Sequence, residues 1–362
     1  MIKKLVQKFK LILTKKLFYK HFNRVEYKRV ISNFKSYLNK EEAIINDFAT
    51  LEQSNNKYYN DLLSQYCDSN GKICDELQVL VSNTNPLPYR SNINSIFFPQ
   101  IQLSEINTIA SKLNENGYYV YDKLLESSIC DNLYHLSENI PFTTAIGSIK
   151  GDKVNFNDIK GEVCYFDNND ILNIELIRKL ICDDFFVSVA EKYFNSQVIF
   201  DFPAMWWSFP FKKRNNMDSA QFYHFDFDRI KWLKVFIYLV DVDENNGPHC
   251  YIEKSHLTGS KPEEFLKRGY ARIADDEMRK HYKDENIIHL NGKKGTIVFG
   301  DTKCWHKGNP LVSGHRLLLE FQYTSTLYGA IIKGAKFNKN GIDNFEEILK
   351  YNPQFFDNVT LQ

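Results

Sequence analysis

The chain reads as a mainly β protein with flanking helices, and three observations carry that reading. From Gln197 onward, short apolar runs alternate with polar positions at a period of two: VIFDF, AMWWSF, QFYHFDF, LKVFIYLVDV, HCYIEK, IIHL, TIVFGD and HRLLLEFQYTS. Turn signals such as NNGP and NGKKG separate several of these runs, a spacing that suits a sandwich or small barrel better than a doubly wound parallel sheet. Up to about residue 95 the chain reads as helical, and from about 101 to Gln197 it is a mixed α/β pattern. With 362 residues, 43% hydrophobic and 15% aromatic, the chain can bury a large core, either as one domain with appendages or as two domains.

The first element is charged. Residues 1–40 hold twelve Lys or Arg and a single acid, Glu26, so this arm carries +11 and the remainder −10. Ile2, Leu5, Val6, Phe9, Ile12, Leu13 and Leu17 form one apolar stripe with Lys3, Lys4, Lys8, Lys10 and Lys15 outside it, which predicts a basic amphipathic helix. Such a helix can lie on an anionic membrane surface through residues 1–20, bind an acidic partner, or pack on the protein itself. Nucleic acid is not expected, because the basic pattern is not sustained with interleaved aromatics beyond the arm. Residues 1–95 as a whole read as a helical extension ending in the Pro-marked linker NTNPLPYRSN.

The main domain is expected over residues 100–330. LSEINTIASKLNENG predicts a helix with Ser104 as N-cap and Gly117 as terminator, GYYVYDKL a strand, and Ser127 or Ser128 to Leu136 a second helix. DDFFVSVAEKYFN predicts a third, before the strands begin. A charged helical insertion is expected within residues 257–286, as a lid over the barrel mouth or a solvated excursion. Residues 331–362 form a tail with one closing helix at NFEEILKYN. The seven cysteines form no CxxC pair, and their odd number argues for reduced thiols and a cytoplasmic setting, peripheral to a membrane if the arm binds one. No apolar run is long enough to span a bilayer or to serve as the core of a signal peptide.

Chemistry concentrates in QFYHFDFDRIKW, residues 221–232. On a strand, His224, Asp226 and Asp228 share one face with Phe222, while Tyr223, Phe225 and Phe227 share the other. Alone, this is as well read as a half-buried strand. Downstream, GTIVFGDTKCWHKGNP supplies His306, and Arg316 opens the strand after it. Two histidines and one carboxylate leave one side of Fe(II) open for a chelating co-substrate and O2, and the planar fork of an Arg suits the far carboxylate of 2-oxoglutarate.

In order along residues 105–325, these pieces resemble the phytanoyl-CoA dioxygenase family of Fe(II)/2-oxoglutarate-dependent oxygenases. ENGYYVYDKLLESSICDNL is similar to the family's opening helix, Gly-Tyr strand and following helix, and QFYHFDFD to its Gln-x-x-His-x-Asp strand. NNGPHCYIEKSH and WHKGNPLVSGHR are similar to its later segments. The resemblance implies a double-stranded β-helix, the jelly-roll or cupin-like barrel of two sheets. It implies iron on His224, Asp226 and His306, the co-substrate's far carboxylate on Arg316, and Gln221 and Trp207 in the pocket wall. IEKSH lacks the family's Pro and Gly, and the family hydroxyl that helps hold 2-oxoglutarate has only Ser313 as a candidate here. Asp228 is expected at the rim in a salt bridge, and His249, His256, His289 and His315 as structural or rim residues. Trp305 is expected to face away from the metal.

The reaction implied is hydroxylation of a C–H bond with release of succinate and CO2, and the carboxylate at Asp226 argues against halogenation. A noncatalytic barrel that serves as a binding scaffold is the second reading, and a Zn hydrolase a third, though no general base stands at short spacing from the ligands. The substrate is expected to be a small molecule or a lipid- or sugar-linked metabolite, with the basic arm favouring the lipid-linked kind.

Overall fold

A computed structural model describes residues 24–52, 56–90, 92–144, 149–210 and 220–362. The amphipathic stripe of residues 1–20 therefore lies outside the described residues. Four helices open the described chain: α1 (Arg24–Leu38), α2 (Glu42–Thr50), α3 (Lys57–Ser69) and α4 (Lys72–Thr84). Their buried positions follow helical spacing, as with Ile73, Leu77 and Val81 on α4. None of the described helices is long and apolar enough to cross a membrane.

The stretch read as a linker is clamped onto the body. Arg90, its side chain only 7% exposed, pairs with Glu191 at 2.8 Å and Asp184 at 3.2 Å, and the backbone N–H of Ile96 donates to Asp183. α5 (Leu103–Asn116) follows, burying Ile106, Ile109, Ala110 and Leu113. It begins after Gln102 with no side-chain cap, so Ser104 is inside the first turn rather than capping it. Gly117 ends it as expected, at φ 86°, and a side chain there would also collide with Cys304 Sγ.

β1 (Tyr118–Val120), α6 (Ser127–Ser137), β2 (Phe142–Thr144), β3 (Lys150–Gly151) and β4 (Val163–Phe166) lead to three packed helices, α7 (Asn168–Asn173), α8 (Glu175–Cys182) and α9 (Asp184–Phe194). Asp183 caps α9 by accepting from the Phe185 N–H, and Asn195 closes it in the left-handed region. The barrel strands are β5 (Ile199–Ser208), β6 (Trp232–Tyr238), β7 (His249–Ile252), β8 (Ile287–Leu290), β9 (Ile297–Gly300), β10 (His306–Gly308) and β11 (Arg316–Thr324), with single-turn helices α10 (Glu263–Leu266) and α11 (Asp275–Met278) between β7 and β8. The tail adds β12 (Lys336–Phe337), α12 (Phe345–Tyr351) and β13 (Thr360–Leu361).

Two predicted strands, VIFDF and AMWWSF, are one. β5 runs straight through Pro203, and the register against β11 slips between Phe321 and Tyr323, which accommodates the residue that cannot donate to the ladder. Conversely, QFYHFDF is not a regular strand: it is an extended segment held by isolated bridges from Tyr223 to Ile273 and from His224 to His306.

The large sheet is antiparallel throughout, in the order β1-β9-β6-β11-β5-β4-β2-β3, and the small sheet runs β10-β7-β8 with the His224 segment beside β10. From β5 to β11 the chain crosses repeatedly between the two sheets, which is the double-stranded β-helix. Outward side chains of the large sheet, such as Leu317, Leu319 and Phe321, pack on α8 and α9, with Phe321 and Phe186 edge to face at 5.2 Å. Inward ones, including Phe236, Tyr238 and Leu318, meet Tyr251 and Leu290 of the small sheet. Behind the small sheet, α1, α3 and α4 bury Val30, Leu62, Tyr66 and Leu77 in one cluster with Phe225, Phe227 and Trp305. The insertion is less helical than expected because Gly259, Pro262 and Gly269 interrupt it, and it covers the same cluster through Phe265, Leu266, Ile273 and Met278.

Candidate metal centre

His224 and His306 are brought face to face by backbone pairing. Each donates its N–H to the other's carbonyl, at 3.0 and 2.8 Å, so both side chains leave the same face of the small sheet, with ring centroids 4.3 Å apart. Two residues on, the Asp226 N–H donates to the Thr302 carbonyl at 2.8 Å and returns the carboxylate to that face. Asp226 Oδ1 lies 3.8 Å from His224 Nε2 and Oδ2 3.7 Å from His306 Nε2. The three ligand atoms lie within 4.8 Å of one another, a group that can hold one metal ion.

The imidazoles are oriented for that task. His224 Nδ1 contacts the Phe222 carbonyl at 2.9 Å and His306 Nδ1 the Cys304 carbonyl at 3.0 Å, which places the ring proton on Nδ1 and leaves Nε2 bare toward Asp226. Burial pushes the His224 pKa down to about 3, with His306 the next contributor, and burial likewise lowers His306, so both rings are neutral. Burial would raise Asp226, but Lys234, His306 and His224 outweigh it and hold the carboxyl ionised. Lys234 reaches from β6 to Asp226 Oδ2 at 2.8 Å and to Glu320 Oε1 at 3.4 Å. Glu320 in turn accepts from Gln322 Nε2 at 2.5 Å, so a charged chain runs along the inner face of the large sheet.

Arg316 opens β11 on that same inner face and is 5% exposed. Its Nη2 donates to Ser208 Oγ at 3.3 Å, whereas Nε and Nη1 are buried without a partner among the described residues. A buried guanidinium edge with free donors costs free energy until a planar acceptor fills it, and a carboxylate fits that fork. The register pairs His306 with Tyr251 and Gly308 with His249, which places His249 on the ligand face next to the histidines. Its ring packs 4.6 Å from Phe236, its Nδ1 has no partner, and burial, then the charge of Arg316, pushes its pKa well down. Gly308 lies beside Arg316: a Cβ there would stand 3.9 Å from Arg316 Nη2, at ordinary contact distance. The donor set thus fits a divalent metal and, beside it, a dicarboxylate.

Other sequence candidates land differently. Gln221 is buried, its Nε2 donating to Glu162 Oε1. Trp207 is not a pocket wall: it points outward into the helix-side core, against Tyr134, Phe156 and His315, and its neighbour Trp206 faces inward opposite Leu318. β5 is apolar on both faces, which hides its phase from sequence. Ser313 is exposed on the loop before β11, and Ser208 is the hydroxyl that meets Arg316. Among the described residues Asp228 makes no rim salt bridge, because Arg229 turns inward to Asp201 at 2.7 Å. Burial and then the charge of Asp226 raise the Asp228 pKa to about 6. Trp305 does face away, stacked edge-on against Phe225 at 5.1 Å. His256 contacts Asn114 and Cys304, and His289 contacts Asn309, so both are structural. His249, Lys234 and Glu320 were missed as site residues. Their signal was the alternation of β6, β7 and β11, which becomes usable only once the cross-strand register is known.

A crossing two-sheet barrel with two neutral histidines, one ionised carboxylate and an open buried arginine inside it defines the class of non-haem Fe(II)/2-oxoglutarate-dependent oxygenases. Within that class the chain belongs to the phytanoyl-CoA dioxygenase family, whose description, Phytanoyl-CoA dioxygenase (PhyH), matches residues 113–317. No curated protein matches the sequence significantly. Similar solved structures include the epimerase SnoN in complex with Fe3+, alpha ketoglutarate and nogalamycin RO, 14% identical over 62% of this chain and 84% of its own with TM-score 0.43. HygX from Streptomyces hygroscopicus, with nickel and 2-oxoglutarate bound, is 14% identical over 62% and 89% with TM-score 0.44. EctD from S. alaskensis with bound Fe is 17% identical over 66% and 83% with TM-score 0.43.

Proposed function

We propose that the chain hydroxylates a C–H bond of a small-molecule metabolite, with His224, Asp226 and His306 as the iron ligands and Arg316 as the anchor of 2-oxoglutarate. The observation that carries this reading is the pairing of a bare-Nε2 histidine pair and Asp226 with the unfilled guanidinium edge of Arg316 inside one barrel. When bound, iron and 2-oxoglutarate supply the O2-dependent oxidation, in which the keto acid is converted to succinate and CO2. The chain's own residues bind and orient. The Phe222 and Cys304 carbonyls hold the imidazole protons away from the ligand atoms, and Lys234 keeps Asp226 ionised and aimed at Nε2 of both rings. Ser208 steadies Arg316, while Phe236, Tyr238 and Leu318 keep water from the barrel interior. Asp226 fills the position that a halide would need, which supports hydroxylation. Seven free thiols, six of them buried, support a reducing compartment.

Uncoupled turnover tests this without knowledge of the substrate. Purified protein should release succinate from 2-oxoglutarate only with Fe(II) and O2. His306→Ala should abolish it, and Arg316→Lys should raise the KM for 2-oxoglutarate about tenfold or more by losing the fork. Succinate release that survives both changes would sink the assignment.

A further inference from the structure

A second arginine stands at the metal group, carried by the insertion. Tyr223 and Ile273 exchange both backbone hydrogen bonds, at 2.9 and 2.8 Å, so residues near 273 add an edge to the small sheet beside the His224 segment. Tyr223 and Ile273 are both buried behind that sheet, in the cluster with Phe225 and Trp305. By alternation Arg272 leaves the opposite face, the one that carries His224. Its charge is felt there: after burial and nearer neighbours, Arg272 is among the groups that lower both ligand histidines.

The guanidinium is not used up. Among the described residues, Nη1 of Arg272 is buried with no hydrogen-bond partner and no carboxylate forms an ion pair with the guanidinium. The Tyr270 ring lies beside it, its centroid 6.0 Å away. Buried donors without acceptors are costly, and a cation makes the deficit larger. The same deficit at Arg316 is met by the co-substrate's far carboxylate, which leaves a second anion unassigned. We infer that Arg272 binds an oxyanion group of the substrate, a carboxylate or a phosphate, and so sets which molecules are presented to the iron. This rests on the metal-centre reading above. The insertion then determines specificity: the barrel strands hold co-substrate and metal, and Arg272 holds the substrate by its acid group.

Calorimetry on protein loaded with Ni(II) and 2-oxoglutarate reads this without turnover, with propionate and methyl phosphate as probes in separate titrations. One of the two should bind saturably at one site, and which one names the acid. Arg272→Gln should weaken that binding about tenfold to a hundredfold, with Arg272→Lys in between and 2-oxoglutarate affinity unchanged in both. Thermal melts of the variants confirm that they are folded. Neither anion binding, or binding that persists in Arg272→Gln, overturns the inference. A loss of 2-oxoglutarate affinity in Arg272→Gln equal to that in Arg316→Gln assigns Arg272 to the co-substrate instead and also overturns it. Failure of the unaltered protein to bind Ni(II) and 2-oxoglutarate would refute the metal-centre reading itself, and this inference with it.

Discussion

The two walls of the barrel interior settle their charges in opposite ways. On the strand-built wall, Lys234 lies between Asp226 and Glu320, and Glu320 is bonded to Gln322, so charge is met by charge within the protein. On the wall made by irregular segments, Asp228 and Arg272 face the same interior with no ion pair among the described residues. Regular strands place side chains at fixed register, which is what a permanent internal pairing needs. Segments joined by single bridges leave charges open. Arg316 is the exception on the strand wall, and it is where the co-substrate is expected. Unmet charge marks the places at which ligands enter.

Lys234→Met attacks the compensated wall and should have the largest effect. It leaves Asp226 and Glu320 buried without their cation, so the metal-free protein should lose about 3–5 kcal/mol of stability in chemical denaturation. Saturating Ni(II) should recover part of that loss, because the metal takes over the charge of Asp226. Equal losses with and without metal would place the role of Lys234 elsewhere.

Acid should be the next largest perturbation. His224 titrates at about 3 in the folded protein against an ordinary 6.5, so the unfolded chain takes up the proton first. The stability this protects is fully present above about 6.5 and is lost as pH falls toward 3, roughly 2 kcal/mol by pH 5 for the metal-free protein. Asp226, also depressed, adds to the loss at lower pH. Asp228 works the other way. Its pKa is raised from 3.8 to about 6, so the folded state favours the proton and stability falls as pH rises through that window. Asp228→Asn should therefore stabilise the protein at pH 8 by on the order of 1–2 kcal/mol, with little change at pH 4. Melts of both proteins across pH separate the two histories, and a pH-independent difference would refute the uncompensated wall. Smallest of all, Trp207→Phe should cost less than about 1.5 kcal/mol and leave the KM for 2-oxoglutarate unchanged, since its ring is outside the barrel.

The metal group and Arg316 were legible in the sequence because each sits at a period-two position in a recognisable order, and order along the chain survives without coordinates. Phase did not survive where both faces of a strand are apolar, hence the exchange of Trp207 for Trp206 on β5. Nor did proximity made by turns: Ser313 is near Arg316 in sequence, yet Ser208 meets it across the β5–β11 ladder. Lys234 reads as a surface lysine until β6 is paired with β11 and Gln322 falls opposite it. Arg272 was invisible because its segment was expected as a charged helix, and Gly269 with the Tyr223 bridge makes it an extended edge instead.

The cluster behind the small sheet has a practical consequence. The family match spans residues 113–317, yet part of the cover on the back of the His224 segment comes from α3 and α4, with Tyr66 4.4 Å from Phe227 and 5.4 Å from Phe225. A fragment cut to the matched region would lose Tyr66 from Phe225 and Phe227, leave that side of the cluster to the insertion alone, and loosen the strip that carries His224 and Asp226. Trimming this protein to its recognisable core would remove part of the backing plate of the proposed metal centre.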